Sequence, residues 1–340
     1  AAALCRKQSY DAFITVSHPF TGPLVGLALR RRFPGLRWIA DVGDPFSLLT
    51  ESPCNNHLIY TGLNRWVDHR VCAKADAISV TVDSCRDAYV SIFPTFRDKF
   101  HVIPPLLPKG ESGQIGSRRL LSSDIHARNL VFTGRLYRSL RSPDYLFSLV
   151  SELVTRNVKI HFHLFGDLND CVKALSPYRG ILGRNIHIHG MMSRREVLDA
   201  QRGADILVNI GNNSSLQLPS KVPEYIAAAK PILNIISTSE DSSARALADH
   251  PATLNIIGTD GRPNDLVVNE VLNFITTPHP MDLGKIEELT APYRIEQLAS
   301  TYRRLAFANL STQSISREAA VPLAQPKNGT VAGKQLQNKT

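Results

Sequence analysis

Short apolar runs alternate along this chain with stretches in which apolar residues recur every three or four positions. That alternation predicts βαβ units built around parallel sheets. Ala12–Ser17 and Arg37–Ala40 read as buried strands, with a helix from about Gly22 to Arg32 between them. A helix over Asn64–Ala73 follows, then a strand over Ala77–Val82, a helix over Ser84–Phe93 and a strand over Phe100–Ile103 that runs into Pro104, Pro105 and Pro108. Composition then shifts. Lys109–Arg128 carries Gly110, Gly113, Gly116 and several serines, which reads as a linker.

The second half repeats the alternation with a sharper punctuation. Strands over Asn129–Thr133, Val158–Phe165 and Asn185–His189 each run into a glycine, at Gly134, Gly166 and Gly190. In an open parallel sheet the carboxyl edge is where ligands sit, and glycine there lets backbone approach them. Further strands are expected over Asp205–Ile210 and Ile232–Ile236. Helices are expected over Ser142–Thr155, Ser193–Arg202, about Lys221–Ala229, Ser242–Ala248, Asp265–Ile275 and Pro292–Ala308. Ser311–Thr340 lacks periodicity and is rich in Gln, Asn, Ser and Lys, so a disordered tail is expected. The resulting division is a first domain over 1–108, a linker over 109–128, a second domain over 129–290, a C-terminal helix over 291–310 and a tail over 311–340. The first domain has only four clear strands and enters at what reads as a middle strand, so its opening part is expected to be absent.

With 340 residues, 43% hydrophobic and 20% charged, the chain has an ordinary globular composition and length enough for two compact domains. No run of eighteen apolar residues and no leader-like opening occurs, which makes a cytoplasmic location the default expectation. The five cysteines, Cys5, Cys54, Cys72, Cys85 and Cys171, are scattered, with no CxxC pair, and read as reduced thiols. The net charge of +9 implies an acidic partner. Arg30, Arg31 and Arg32 form the densest run; they suit a solvated helix C-terminus or an anionic membrane surface. No zinc-finger, RNP-like or helix-turn-helix signature supports nucleic acid.

The most informative segment is LQLPSKVPEYIAAAKPIL, from Leu216 to Leu233. Ser220 is positioned as an N-cap, and the free N–H groups of the first helical turn suit a diphosphate. Glu224, four residues on, can accept hydrogen bonds from a sugar diol, while Lys221 on the same helix face is directed at phosphates. The competing reading is a simple Lys221–Glu224 ion pair on an exposed face. Four histidines, His161, His163, His187 and His189, alternate along two strands, so each pair shares a sheet face. Cross-strand packing explains them more simply than metal ligation, and no bound metal or cofactor is expected.

Four segments together resemble the retaining glycosyltransferases of family 4. They are VFTGRLYRSLRSPDYLFSLV at Val131, HFHLFGD at His161, HIHGMMSRREVLDAQRGADILVNI at His187, and LQLPSKVPEYIAAAKPIL at Leu216. A softer likeness covers DAFITVSHPFTGPLVGLAL at Asp11 and WIADVGDPF at Trp38. The resemblance implies an α/β protein with the GT-B fold, in which two Rossmann-like domains face each other across a cleft. It implies transfer of a hexose from a nucleotide diphosphate sugar to a saccharide or lipid-linked acceptor with retention of configuration; the basic first domain adds peripheral contact with the inner face of a membrane as an expectation.

The resemblance also assigns roles. Arg135, after Gly134, binds the donor diphosphate, and a second cation follows a few residues later; Arg141 is the nearest match and Arg138 a competitor. Glu224 aligns with the second glutamate of a two-glutamate motif and holds the ribose. The first glutamate would stand at Leu216, and its loss leaves open a non-catalytic nucleotide-binding module; Gln217 could substitute through its amide. Gly166 approaches the donor. Backbone at Met191 and Met192 edges the base, unless the two methionines are core filler. In the first domain His18, Asp41 and Asp44 face the acceptor or the sugar, with Asp44 favoured over Asp41, although an aspartate before Pro45 also suits a turn.

Overall fold

Strands form where the apolar runs fall, because a strand covered on both faces must be apolar on both. The computed structural model describes residues 1–49, 57–109, 120–258 and 261–308. Most of the expected linker, the expected tail and Cys54 therefore lie outside the described residues. In the first half the elements are α1 (Ala2–Lys7), β1 (Ala12–Val16), α2 (Thr21–Arg32), β2 (Arg37–Val42), α3 (His57–Lys74), β3 (Ala77–Val80), α4 (Asp83–Ile92) and β4 (Phe100–Val102). The four strands are parallel, in the order β1-β2-β3-β4.

Period-two alternation divides the first core. Trp38, Ala40, Val42 and Ile78 face one way, into a cluster with Val67 and Val71 of α3 and Cys85 and Tyr89 of α4. Ile39, Ala77 and Ile103 face the other way. The element that covers that second face is the C-terminal helix, through Leu298 and Leu305.

The second half contains β5 (Arg128–Arg135), α5 (Asp144–Thr155), β6 (Ile160–Asp167), β7 (Ile186–Gly190), α6 (Arg194–Gly203), β8 (Ile206–Ile210), α7 (Val222–Ala227), β9 (Ile232–Ile236), α8 (Ser242–Ala246), β10 (Thr253–Ile257), α9 (Asp265–Thr276), α10 (Leu283–Thr290) and α11 (Ile295–Phe307). Its six parallel strands run β10-β9-β8-β5-β6-β7. Strand order reverses between β5 and β8, which places a crevice at their carboxyl ends. Leu130 and Phe132 turn toward α5 and α9 on one face, and Val131 toward α6, α7 and α10 on the other. By contact clustering, Ala1–Ala306 form one unit that holds both sheets; of the other, Phe307–Thr340, only two residues are described.

A row of asparagines crosses this second sheet. Asn209 Nδ2 donates to Asn234 Oδ1 at 2.7 Å, and Asn234 Nδ2 donates to Asn255 Oδ1 at 2.8 Å. The three are register partners on β8, β9 and β10, so each amide finds its match only in one alignment of the strands.

Several expectations change in detail. Helix α1, strand β10 and helix α10 were not anticipated, and α3 begins at His57 rather than Asn64. Ser220 is not the N-cap of α7: Lys221 holds that position, in helical geometry and with no side-chain cap, and Pro223 sits in the first turn. Cys5, Cys72, Cys85 and Cys171 are free, and burial pushes the thiols of the last three up to about 12. Among the described residues no helix is long and apolar enough to cross a membrane.

Candidate functional site

At the crevice the two central strands end in a glycine pair. Gly134 on β5 and Gly166 on β6 are register partners, with φ of 146° and 144°. A Cβ on Gly166 would stand 1.7 Å from the Gly134 carbonyl oxygen, so only glycine lets the strands close here. The chain leaving Gly134 forms a tight turn in which Tyr137 and Arg141 exchange backbone hydrogen bonds. That turn separates the two cations. Arg135 is exposed at the strand end, whereas Arg141 folds back beneath it.

Arg141 is held by two acceptors. Its Nη2 donates to Asn212 Oδ1 at 2.7 Å and its Nη1 to the Arg135 carbonyl at 3.3 Å, while its buried Nε has no hydrogen-bond partner among the described residues. Burial lowers its pKa from the usual guanidinium value, with the Tyr225, Tyr137 and Asp241 side chains opposing that shift. A largely buried cation on a cavity wall is suited to an anion. Arg138, the competitor, is exposed and points its backbone N–H at Asp170; it does not line the cavity.

That cavity has a volume of about 420 Å³. Arg135, Arg141 and the glycine pair form one end, and Met191, Met192 and Arg194 flank it. Ser220, Lys221 and Glu224 close it from the α7 side. Glu224 is 7% exposed. Its carboxylate accepts from Lys221 Nζ at 2.9 Å, Arg194 Nη1 at 3.4 Å and Gln201 Nε2 at 3.5 Å. The ion pair foreseen as the bland alternative thus exists, but inside the cavity rather than on an exposed face. Lys221 is turned toward Glu224. Met191 is 66% exposed and Met192 packs partly against the second core.

Beneath the cavity floor, Tyr225 OH accepts from the Thr133 backbone N–H at 2.8 Å, and Gln201 Nε2 donates to Thr133 Oγ1 at 2.9 Å. Full burial pushes the Tyr225 hydroxyl up to about 12, so it stays protonated as a fixed strut. Helix α6, which carries Arg194 and Gln201, starts at a capping box in which Ser193 and Glu196 satisfy each other's backbone N–H groups.

Among the described residues, none that lines this cavity comes from the first half. Asp44 stands just beyond β2, where its carboxylate meets His18 Nδ1 at 3.4 Å and Gln217 Nε2 at 2.5 Å. His18 also stacks on Phe46. Asp41 remains on β2, takes a hydrogen bond from Ser79 Oγ at 2.6 Å, and has its pKa raised by burial, opposed by Ser79 and Tyr302 of α11. It is half-buried and bonded toward α11 rather than toward Asp44 and His18. Leu216 packs against the first core, and Gln217 reaches across to Asp44 and the Gly43 carbonyl. The loop after β8 therefore joins the two halves.

The histidines pair as expected from their alternation. His161 Nδ1 lies 3.0 Å from His187 Nε2, and His163 Nδ1 lies 3.0 Å from His189 Nε2. Among the described residues no group of three or more His, Cys, Asp or Glu is arranged to hold a metal ion.

No family model matches the sequence, and no curated protein matches it. Solved structures do match. The apo form of the lipopolysaccharide outer core galactosyltransferase WaaB aligns with a TM-score of 0.55 at 13% identity, over 90% of this chain and 78% of that one. Anabaena Alr3699/HepE in complex with UDP gives 0.60 at 13% identity, over 90% and 80%. WaaG, a glycosyltransferase involved in lipopolysaccharide biosynthesis, gives 0.56 at 17% identity, over 83% and 80%. The chain has the GT-B fold. At these identities the likeness is one of fold. In GT-B terms, the cavity lies wholly in the C-terminal half, and Asp44 and His18 are on the N-terminal half.

Sequence reasoning missed Arg194, Gln201, Asn212 and Tyr225. Asn212 carried a visible signal, a polar residue just past a strand end. Tyr225 carried none, since an aromatic beside Glu224 reads equally as core.

Proposed function

We propose that this chain transfers a sugar from a nucleotide diphosphate sugar to a hydroxyl of a saccharide or lipid-linked acceptor, with retention of configuration. The observation that carries the reading is the pair of cations Arg135 and Arg141, which stand with the glycine pair at one end of a cavity whose other side holds Glu224. Diphosphate charge grows as the glycosidic bond breaks, and cations already in place stabilise it without reorganisation. Glu224, at the opposite side, has acceptor capacity beyond that taken by Lys221, Arg194 and Gln201 and can accept from a ribose diol. Backbone at Met191 and Met192 borders the base, and Gly134 and Gly166 admit the phosphates. The departing phosphate oxygen takes the acceptor proton, so no separate base is required. The HepE structures that hold UDP or UDP-glucose make a uridine donor the first to try.

The test is a thermal-shift and calorimetric screen of UDP-, GDP- and ADP-sugars, followed by assays of donor hydrolysis and transfer. Arg135→Ala is expected to lower kcat at least ~100-fold, and Glu224→Ala to weaken nucleotide binding ~10-fold. Turnover like that of the unaltered protein in Arg135→Ala would overturn the assignment. A second reading, a module that binds nucleotide without transferring sugar, is favoured by Leu216: the position of the motif's first carboxylate is filled by an apolar side chain packed into the first core. Tight nucleotide binding with neither hydrolysis nor transfer would select it.

A further inference from the structure

Helices α2 and α3 lie side by side on the first sheet, and the face they turn outward combines large apolar side chains with cations. On α2 the exposed residues Leu24, Val25, Ala28 and Arg31 recur every three or four positions, opposite the buried Pro23, Gly26 and Leu29. On α3 a matching stripe runs through Ile59, Leu63, Trp66, Arg70 and Lys74. Ile59 is 69%, Leu63 51% and Trp66 55% exposed. A groove of about 560 Å³ opens along this face, lined by Leu24 and Trp66 and closed by Arg31, Arg70 and Lys74. The Arg70 guanidinium lies 5.3 Å from the centre of the Trp66 ring.

The charge on this face has one sign. Helix α2 contains no acidic residue, and the single acid of α3, Asp68, is buried, bonded to Ser47 and Tyr89. Arg30 is paired with Asp76. Arg31, Arg70 and Lys74 make no ion pair among the described residues. The cations gather at the C-terminal ends of both helices, and the aliphatic residues stand toward their N-terminal ends.

We infer that this face docks the protein on an anionic bilayer surface. Aliphatic side chains enter the headgroup boundary, Trp66 sits at the interface with Arg70 against its ring, and Arg31 and Lys74 meet lipid phosphates. An acidic protein would account for the cations but would leave Ile59, Leu63 and Leu24 unexplained; an anionic bilayer accounts for both. Because α2 and α3 follow the parallel strands β1 and β2, their N-terminal ends lie at the carboxyl edge of the first sheet, the edge that carries His18 and Asp44. The docking does not rest on sugar transfer, since it concerns a surface outside the donor cavity.

The experiment is co-sedimentation of the full chain with vesicles of phosphatidylcholine alone or with one-third phosphatidylglycerol, at low and high salt, with the oligomeric state measured alongside. Binding is expected only to the anionic vesicles and is expected to weaken with salt. The triple variant Arg31→Glu, Arg70→Glu, Lys74→Glu should lower partitioning ~100-fold or more, and Trp66→Ala by ~10-fold. Reversing three exposed cations of the second half, Lys173→Glu, Arg179→Glu and Arg184→Glu, should leave most of the binding intact. Equal binding to neutral vesicles, equal loss in both triple variants, or retention of binding in the α2 and α3 variants would overturn the inference. So would a concentration-dependent dimer, without vesicle binding, that Trp66→Ala dissolves.

Discussion

Gly166 shows how much of the site depends on one missing atom group. With φ at 144° and a Cβ position 1.7 Å from the Gly134 carbonyl oxygen, Gly166→Ala forces β5 and β6 apart at the cavity. The expected cost is about 2 to 4 kcal/mol, read as a lower thermal midpoint together with weakened nucleotide binding. An unchanged midpoint would show that the strands can separate freely there. Gly134 is less constrained by space, since a Cβ would meet its nearest neighbour, Arg141 Nη1, at 3.6 Å; only its backbone angle demands glycine. The sequence marked both glycines through their position at strand ends, because the run before each was unambiguous. It could not separate Arg138 from Arg141, since that choice is made by the turn from Tyr137 to Arg141, whose geometry leaves no periodic trace. Nor could it reveal that Asp41 is bonded toward a helix more than 250 positions away, as the contact with Tyr302 requires.

At the scale of elements, α11 is the one that local pattern could not place. Its amphipathic period was readable. What its apolar face covers was not, because Leu298 and Leu305 bury against Ile39, Ala77 and Ile103 in the other half of the chain. Arg37 Nε donates to the Leu305 carbonyl, tying the helix end to β2. Leu305→Ala is accordingly expected to cost about 2 to 4 kcal/mol and to speed amide exchange in β2 and β3 while leaving β8 protected. If exchange rose in α11 alone, the helix would be an ornament on the sheet rather than its second layer. Strand β10 and helix α10 escaped notice for opposite reasons. Strand β10 is a five-residue edge with two exposed positions, too short to outweigh its polar neighbours. Helix α10 is eight residues started by Asp282, whose carboxylate accepts from the N–H groups of Gly284 and Lys285, a cap that stands out only once the helix is known.

Across the whole molecule, the clearest dependence on conditions comes from the stacked histidines. Burial, reinforced by the neighbouring His187, His189 and His161, pushes the His163 imidazole down to about 3, and the pKa values of His187 and His189 are lowered too. An unfolded chain takes up those protons near pH 6.5, while the folded one refuses them. The unfolded state therefore binds more protons between about pH 6.5 and 3, and stability falls as pH falls through that window, by at most ~1.4 kcal/mol per pH unit for His163. Chemical denaturation at pH 7.5, 6 and 5 measures this, and His163→Gln should flatten the dependence. A slope unaffected by that substitution would assign the acid sensitivity to other groups.

The same scale holds a connection that no single half displays. From Arg141 a run of hydrogen bonds passes through Asn212 to the Gln217 carbonyl, and from the Gln217 amide to Asp44, which meets His18. Exchanging Asn212 strands the Arg141 Nη2 donor, and exchanging Gln217 strands the Asp44 acceptor while leaving the Asn212 contact with its backbone carbonyl in place. Single exchanges at positions 44, 141, 212 and 217 are therefore expected to weaken the joint between the two sheets, because this loop ties the donor cavity to the edge that carries His18.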